Sequence, residues 1–302
     1  MDQTRPEIPT GLRELMAEIG PQWSPAIYVK LMLEKFSEIH RMTPTAGIDL
    51  RADIAYGTHA RQKFDVYLPA GPDRDRAAVL FAHGGAFLDG HRNRTDEIYA
   101  NVLRYFARNG VVGINVGYRL ADDTPYPGAT DDIAAAVAWT HEHADEIGIE
   151  RSRIFLMGHS AGAAHTGSYA YDRRRHPAGG PGLAGHLVVS GRVRAETRPE
   201  NPNAHKVISY YGTEAADVLA DVSPVSHVDE CSVATFVAWA EFENPLIDVH
   251  CAELCFRLAQ AKRRAPLSMW LRGHNHTSSI AHINTAEDAL GLAMLDFIAH
   301  PR

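Results

Sequence analysis

The chain has 302 residues, 45% hydrophobic and 22% charged, which are globular proportions with room for one large α/β domain. Its 37 acidic and 30 basic residues give a formal charge of -7, and the basic residues form no long stripe, so nucleic acid is not an expected partner. The first residues lack the basic-then-apolar order of a signal peptide, no apolar run reaches membrane-spanning length, and the 3 cysteines include no CxxC pair; these features predict a cytoplasmic protein with reduced thiols and no membrane partner.

In chain order, two amphipathic helices come first. Leu12, Leu15, Met16 and Ile19 recur at helical spacing, and Ser24 reads as the N-cap of a second helix with Pro25 at its first position, then Ile27, Leu31 and Phe36. A β-rich section runs from about Ile48 to Tyr67, where the alternation in Phe64-Asp65-Val66-Tyr67-Leu68 predicts an antiparallel edge pair. Apolar runs at Ala78–Ala82, Val111–Val116, Ile154–Met157, Leu187–Val189, Thr235–Ala240 and Ser268–Leu271 then read as buried parallel strands. Helical patterns lie between them near 95–109, 129–147, 160–172, 246–262 and 285–299. This alternation predicts an α/β fold, a mostly parallel eight-stranded sheet with helices on both faces. Residues from about Arg192 to Val222 interrupt the rhythm as a long loop rich in Pro, Asn and charge, with the aromatic pair Tyr210-Tyr211. Arg173-Arg174-Arg175-His176 reads as a solvated helix C-terminus interacting with the helix dipole, and Cys251 and Cys255 as packed thiols on one helix.

The chemistry concentrates at Gly158-His159-Ser160-Ala161-Gly162, which directly follows one buried strand and precedes the small-residue run Ala163-Ala164. A serine held on a sharp strand-to-helix turn is lifted out of the sheet, and a side chain at either flanking glycine would collide with strand or helix. The Ala161 amide, at the helix N-terminus, points to the same space. A serine alcohol needs a base, an acid to orient that base, and fixed donors for the oxyanion. His83-Gly84-Gly85-Ala86-Phe87 follows the strand Ala78–Ala82, so the Gly84 and Gly85 amides are the expected donors together with Ala161. After the last strand, His274 and His276 compete for the base. His276 is preferred, because Thr277, Ser278 and Ile280 after it can open a helical segment facing the turn. The strand Thr235–Ala240 runs into Glu241-Phe242-Glu243-Asn244-Pro245, which makes Glu243 the expected acid and Asp248, in the next helix's first turn, the alternative; Glu241 is expected to point to the opposite face. The pair His141 and His143 lies on a charged helix with no acidic or cysteine partner in a recognised motif, so no metal site is expected there.

The segments His83–Phe87 and Gly158–Gly162, in this order and spacing, resemble the α/β-hydrolase superfamily, specifically its hormone-sensitive-lipase-like esterase branch. The resemblance runs from about residue 60 to the C-terminus and includes Gly117-Tyr118-Arg119-Leu120 and Asp132 ahead of the Ala-rich stretch ending at Trp139. The chain departs from the pattern by placing Glu243-Asn244 before Pro245-Leu246, where the family has an aspartate. The resemblance implies hydrolysis of a small-molecule ester, small or aromatic, by Ser160 through an acyl-enzyme, with no cofactor. It also implies a cap formed by residues 1–45 and about 192–222 over a catalytic domain of 46–302, which makes Phe87, His159, Tyr210 and Tyr211 candidate substrate contacts. Arylformamidases are similar too, through the same glycine pair, Gly117–Leu120 and a late histidine, so an amide or formamide substrate is the alternative. A ligand-binding member of the fold that has lost catalysis is a further one. A homodimer is left open.

Overall fold

The computed structural model describes residues 5–20, 25–71 and 74–302, the side chains of 25–28 excepted. Helices α1 (Thr10–Ile19) and α2 (Pro25–His40) come first, then strands β1 (Ile48–Ala55), β2 (Lys63–Pro69) and β3 (Arg76–Ala82). The alternation continues through α3 (Ala100–Arg108), β4 (Val112–Val116), α4 (Gly128–Glu142), α5 (Ala144–Ile147), β5 (Ile149–His159), α6 (Ala161–Tyr171) and β6 (Gly185–Val189). It closes with α7 (Ala204–Tyr211), α8 (Ala216–Val222), β7 (Ala234–Phe242), α9 (Ile247–Lys262), β8 (Leu267–Asn275), α10 (Ser278–Ala281) and α11 (Ala289–Ala299). Pro25 opens α2 as expected, whereas the proposed cap Ser24 and the side chain of Ile27 lie outside the described residues.

All eight strands join one sheet in the order β1-β2-β4-β3-β5-β6-β7-β8. β2 pairs antiparallel with both β1 and β4, and every other pairing is parallel. Successive residues of the central strands face opposite layers. Val79 and Phe81 pack with α1, α2, α3 and α11, while Ala78, Leu80 and Ala82 pack under α4 and α6. Each fully buried large aliphatic or aromatic side chain contributes about 1.5–3 kcal/mol, which is why strands buried on both faces are near-continuous apolar runs. Small residues let α6 approach its neighbours closely; a Cβ on Gly167 would stand 3.0 Å from Pro224.

Several expectations need correction. The antiparallel edge pair is present as β1 with β2, but β2 is hydrogen-bonded on both sides, with β1 outermost and β4 within. The polar member of its alternation, Asp65, is buried and accepts hydrogen bonds from Arg92 Nε at 3.1 Å and Asn93 Nδ2 at 2.9 Å. A charge matched in this way can occupy an interior strand. The segment 192–222 is not an irregular loop, since it carries α7 and α8 and buries Val207, Tyr210 and Leu219. The run at 129–147 is two helices broken at His143. Arg173–Arg175 form a 3₁₀ turn capped by Asp172, and they meet specific acids: Arg174 pairs with Asp172 at 2.9 Å, and Arg173 with Asp229 at 2.6 Å. His143 stacks on Trp139, and His141 bonds the Gly182 carbonyl. Cys251 is buried, and Cys255 half-buried.

Candidate active site

Parallel strands bring their carboxyl ends to one edge of the sheet, where ligands bind in open α/β folds. Four of these ends supply the site, each at the first residue beyond its strand. His83 follows β3, Ser160 follows β5, Glu243 follows β7 and His276 follows β8. Ser160 has φ 55° and ψ -122°, a sparsely populated conformation for a residue with a side chain. Packing enforces it: a Cβ on Gly162 would run into the carbonyl oxygens of Ala82 and His83, and one on Gly158 would stand 2.5 Å from the Ala163 Cα. The Arg192 amide donates to the Ser160 carbonyl at 3.0 Å, fixing the turn from the β6 side.

The Ser160 hydroxyl donates to His276 Nε2 at 2.9 Å, and His276 Nδ1 donates to Glu243 Oε2 at 2.7 Å. The carboxylate can only accept, so the ring proton sits on Nδ1 and Nε2 is left free to accept from the serine. Glu243 is itself oriented, because its Oε1 accepts from the Ala240 amide at 2.9 Å. The other expected residues are elsewhere. Asp248 is exposed and accepts from the Val249 amide in the first turn of α9. Glu241 accepts from the Gly273 amide. His274 bonds Ser278 Oγ and Glu287. His159 is buried beside the triad, with Nε2 donating to the His276 carbonyl at 3.1 Å. Burial, together with the neighbouring His276, pushes the His159 pKa down to about 3, so it stays neutral and holds the backbone of the base.

The loop after β3 is braced from behind. His83 stacks on Tyr118, whose hydroxyl donates to the His83 carbonyl at 2.5 Å. Arg119 is locked on Asp132 at 2.6 Å, and Arg61 donates to the carbonyls of Tyr118 and Gly90. Gly84 approaches the nucleophile so closely that a Cβ there would stand 2.9 Å from that of Ser160. Gly84, Gly85, His159, Ser160 and His276 line a cleft of about 200 Å³.

The expected aromatic walls are not part of that lining. Phe87 is 2% exposed and Tyr210 is 1% exposed; they stack on each other at 4.9 Å, with Tyr211 edge-on to both. The positive φ of Phe87, 73°, belongs to the sharp turn after the glycines, and the ring sits in the core under α4 and α6. The cleft is instead lined by Val29 and Leu33 of α2, by Tyr99, and by Arg192, Asn203 and Lys206. Burial raises the Tyr99 phenol's pKa, opposed by Arg94 and by a hydrogen bond with the Gly84 backbone. None of these residues carries a motif. The available signal is position, as Arg192 comes three residues past the end of a parallel strand.

This strand order, with a strained serine after β5 and its partners after β7 and β8, is that of the α/β-hydrolase fold. Residues 64–175 match the BD-FAE family. The chain is similar to the esterase LipI of Mycobacterium tuberculosis, 33% identical over 40% of this chain and 36% of the relative. It is also similar to the carboxylesterase NlhH of the same species, 29% identical over 61% of this chain and 57% of the relative. The chain therefore spans about a third to somewhat over half the length of these curated relatives. The solved bacterial heroin esterase superposes with a TM-score of 0.72 over 92% of this chain and 90% of that one, at 23% identity, which speaks for the fold.

Proposed function

We propose that the protein is a serine carboxylic ester hydrolase acting on small or aromatic esters through an acyl-enzyme. The observation that carries this reading is the unbroken chain from Ser160 Oγ through His276 to Glu243 on a strained turn. The names of the relatives, esterase and carboxylesterase, support it. In this reading Ser160 attacks the ester carbonyl as His276 Nε2 takes its proton, and Glu243 stabilises the resulting imidazolium. The amides of Gly84, Gly85 and Ala161 hold the oxyanion, each worth about 3–4 kcal/mol in such sites. His276 then protonates the leaving alcohol, and water attacks the acyl-enzyme by the same route in reverse. Residues 192–222 and helix α2 act as the cap, contributing Arg192, Asn203, Lys206, Val29 and Leu33 to the cleft wall. The small volume of the cleft favours compact acyl and alcohol groups.

The test compares turnover of a p-nitrophenyl ester with that of N-formylkynurenine by the wild type and Ser160→Ala. Ester hydrolysis that disappears in Ser160→Ala is the expected result. Turnover of the formamide several orders of magnitude above the ester would replace the ester reading with an arylformamidase-like one.

A further inference from the structure

Resting on the ester hydrolase reading, we propose that the substrate carries a free carboxylate, which the guanidinium of Arg192 binds inside the cleft. Arg192 is 3% exposed and lines the cleft beside Ser160. Its Nη1 is completely buried and has no hydrogen-bond partner among the described residues. The nearest carboxylate oxygen, Glu196 Oε1, is 4.0 Å from Nη1. The other oxygen of Glu196, Oε2, accepts from the Arg198 amide at 2.8 Å and from Arg198 Nε at 3.3 Å, while Oε1 is buried between Arg192 and His250 without a hydrogen bond to either. Other arginines drawn into this fold are matched: Arg92 pairs with Asp65 and Asp53, and Arg194 with Glu253. Buried charges are ordinarily paired and hydrogen-bonded, so an arginine that lines a binding cleft with one long ion pair and no side-chain hydrogen bond has donors left for an anion.

The surrounding charge agrees. In a chain of net charge -7, the cleft wall carries Arg94, Arg192 and Lys206 against one carboxylate, Asp89, which Lys206 already binds at 2.8 Å. Glu243 is committed to His276. Burial lowers the Arg192 pKa, but a guanidinium does not lose its proton in proteins, so the site stays cationic at neutral pH. Its planar fork takes the two oxygens of a carboxylate in parallel. The Arg192 amide also holds the Ser160 carbonyl, so the anchor and the nucleophile share one rigid turn.

Two matched pairs of probes test this on wild-type enzyme and Arg192→Met. 4-Acetoxybenzoate against 4-acetoxybenzamide puts the charge on the alcohol side, and monomethyl against dimethyl adipate puts it on the acyl side. In at least one pair the wild-type kcat/KM for the carboxylate probe should exceed that for the neutral one by about tenfold or more, the scale of a charge-assisted hydrogen bond. Arg192→Met should bring the ratio to about one. The ratio compares two substrates on one preparation, so partial misfolding cancels, and the wild-type ratios stand without the variant. Ratios at or below one in both pairs overturn the carboxylate anchor while leaving the hydrolase reading intact, as does a ratio that Arg192→Met does not change. No turnover of any probe, with no phosphonate adduct on Ser160, overturns both.

Discussion

Lowering the pH from 7 to 5 should remove a large part of the stability of this fold through its buried histidines. His159, His165 and His186 have pKa values near 3 in the folded chain against 6.5 for a free imidazole, in each case because burial disfavours the charged ring. His186 sits between two hydroxyls, bonded to Thr166 Oγ1 at 2.8 Å and Tyr171 Oη at 2.9 Å. In the unfolded chain each ring takes up a proton below about 6.5, while in the folded chain it does not. The unfolded state therefore binds more protons, and the stability tied to these groups is fully present above pH 6.5 and lost as the pH falls toward 3. At 1.36 kcal/mol per pKa unit, each ring costs about 2 kcal/mol at pH 5, together about 6 kcal/mol, against a typical total of about 5–15 kcal/mol. His40, His83 and His250 shift in the same direction for the same reason. Glu287, held down to about 2 by its hydrogen bond from His274, loses its contribution only as the pH falls from about 4.5 to 2, outside this window. Urea unfolding followed by circular dichroism at the two pH values measures the difference. His186→Gln should shrink that difference by about 2 kcal/mol whatever it does to stability at pH 7. Equal unfolding free energies at pH 7 and pH 5, or an unchanged difference in His186→Gln, would refute the reasoning.

Two further perturbations address the site. Glu243→Gln should lower kcat for a p-nitrophenyl ester by about 10³–10⁴, because the base loses its tautomer and orientation, whereas Asp248→Asn should stay within about threefold of wild type; equal losses in steady-state assays would contradict the assignment of the acid. Gly162→Ala forces a methyl into the carbonyl oxygens of Ala82 and His83, an overpacking of about 1–3 kcal/mol that should lower the melting temperature by several degrees. Gly179→Ala, which meets nothing within 4 Å, should leave it unchanged, and a thermal melt separates the two.

What could be read in the sequence was whatever the strand ends dictate. Buried parallel strands are continuous apolar runs, so the first polar residue past each one is visible, and Ser160, Glu243 and His276 occupy such positions. The cleft walls follow no such rule. Phe87, Tyr210 and Tyr211 looked like walls because aromatic residues cluster in pockets, yet a ring mostly gains by stacking in the core, as these do. Arg192 was hidden for the opposite reason, since a lone arginine after an apolar run reads as a surface residue until its burial is seen. The two helices within 192–222 are 8 and 7 residues long, too short for a 3.6-residue period to stand out against Pro and Asn. The alternation around Asp65 did mark the antiparallel pair at the sheet margin, while the burial of Asp65 itself depends on Arg92, which comes from a distant loop and pairs with it.

The account turns on Ser160 as an activated nucleophile. Incubation with a small organophosphonate, followed by intact-mass measurement and peptide mapping, tests this most directly. A single stoichiometric adduct on Ser160, absent in Ser160→Ala and formed far more slowly in Glu243→Gln, is the predicted result. A folded wild-type protein that takes up no label, or an adduct that persists in Ser160→Ala, would contradict it.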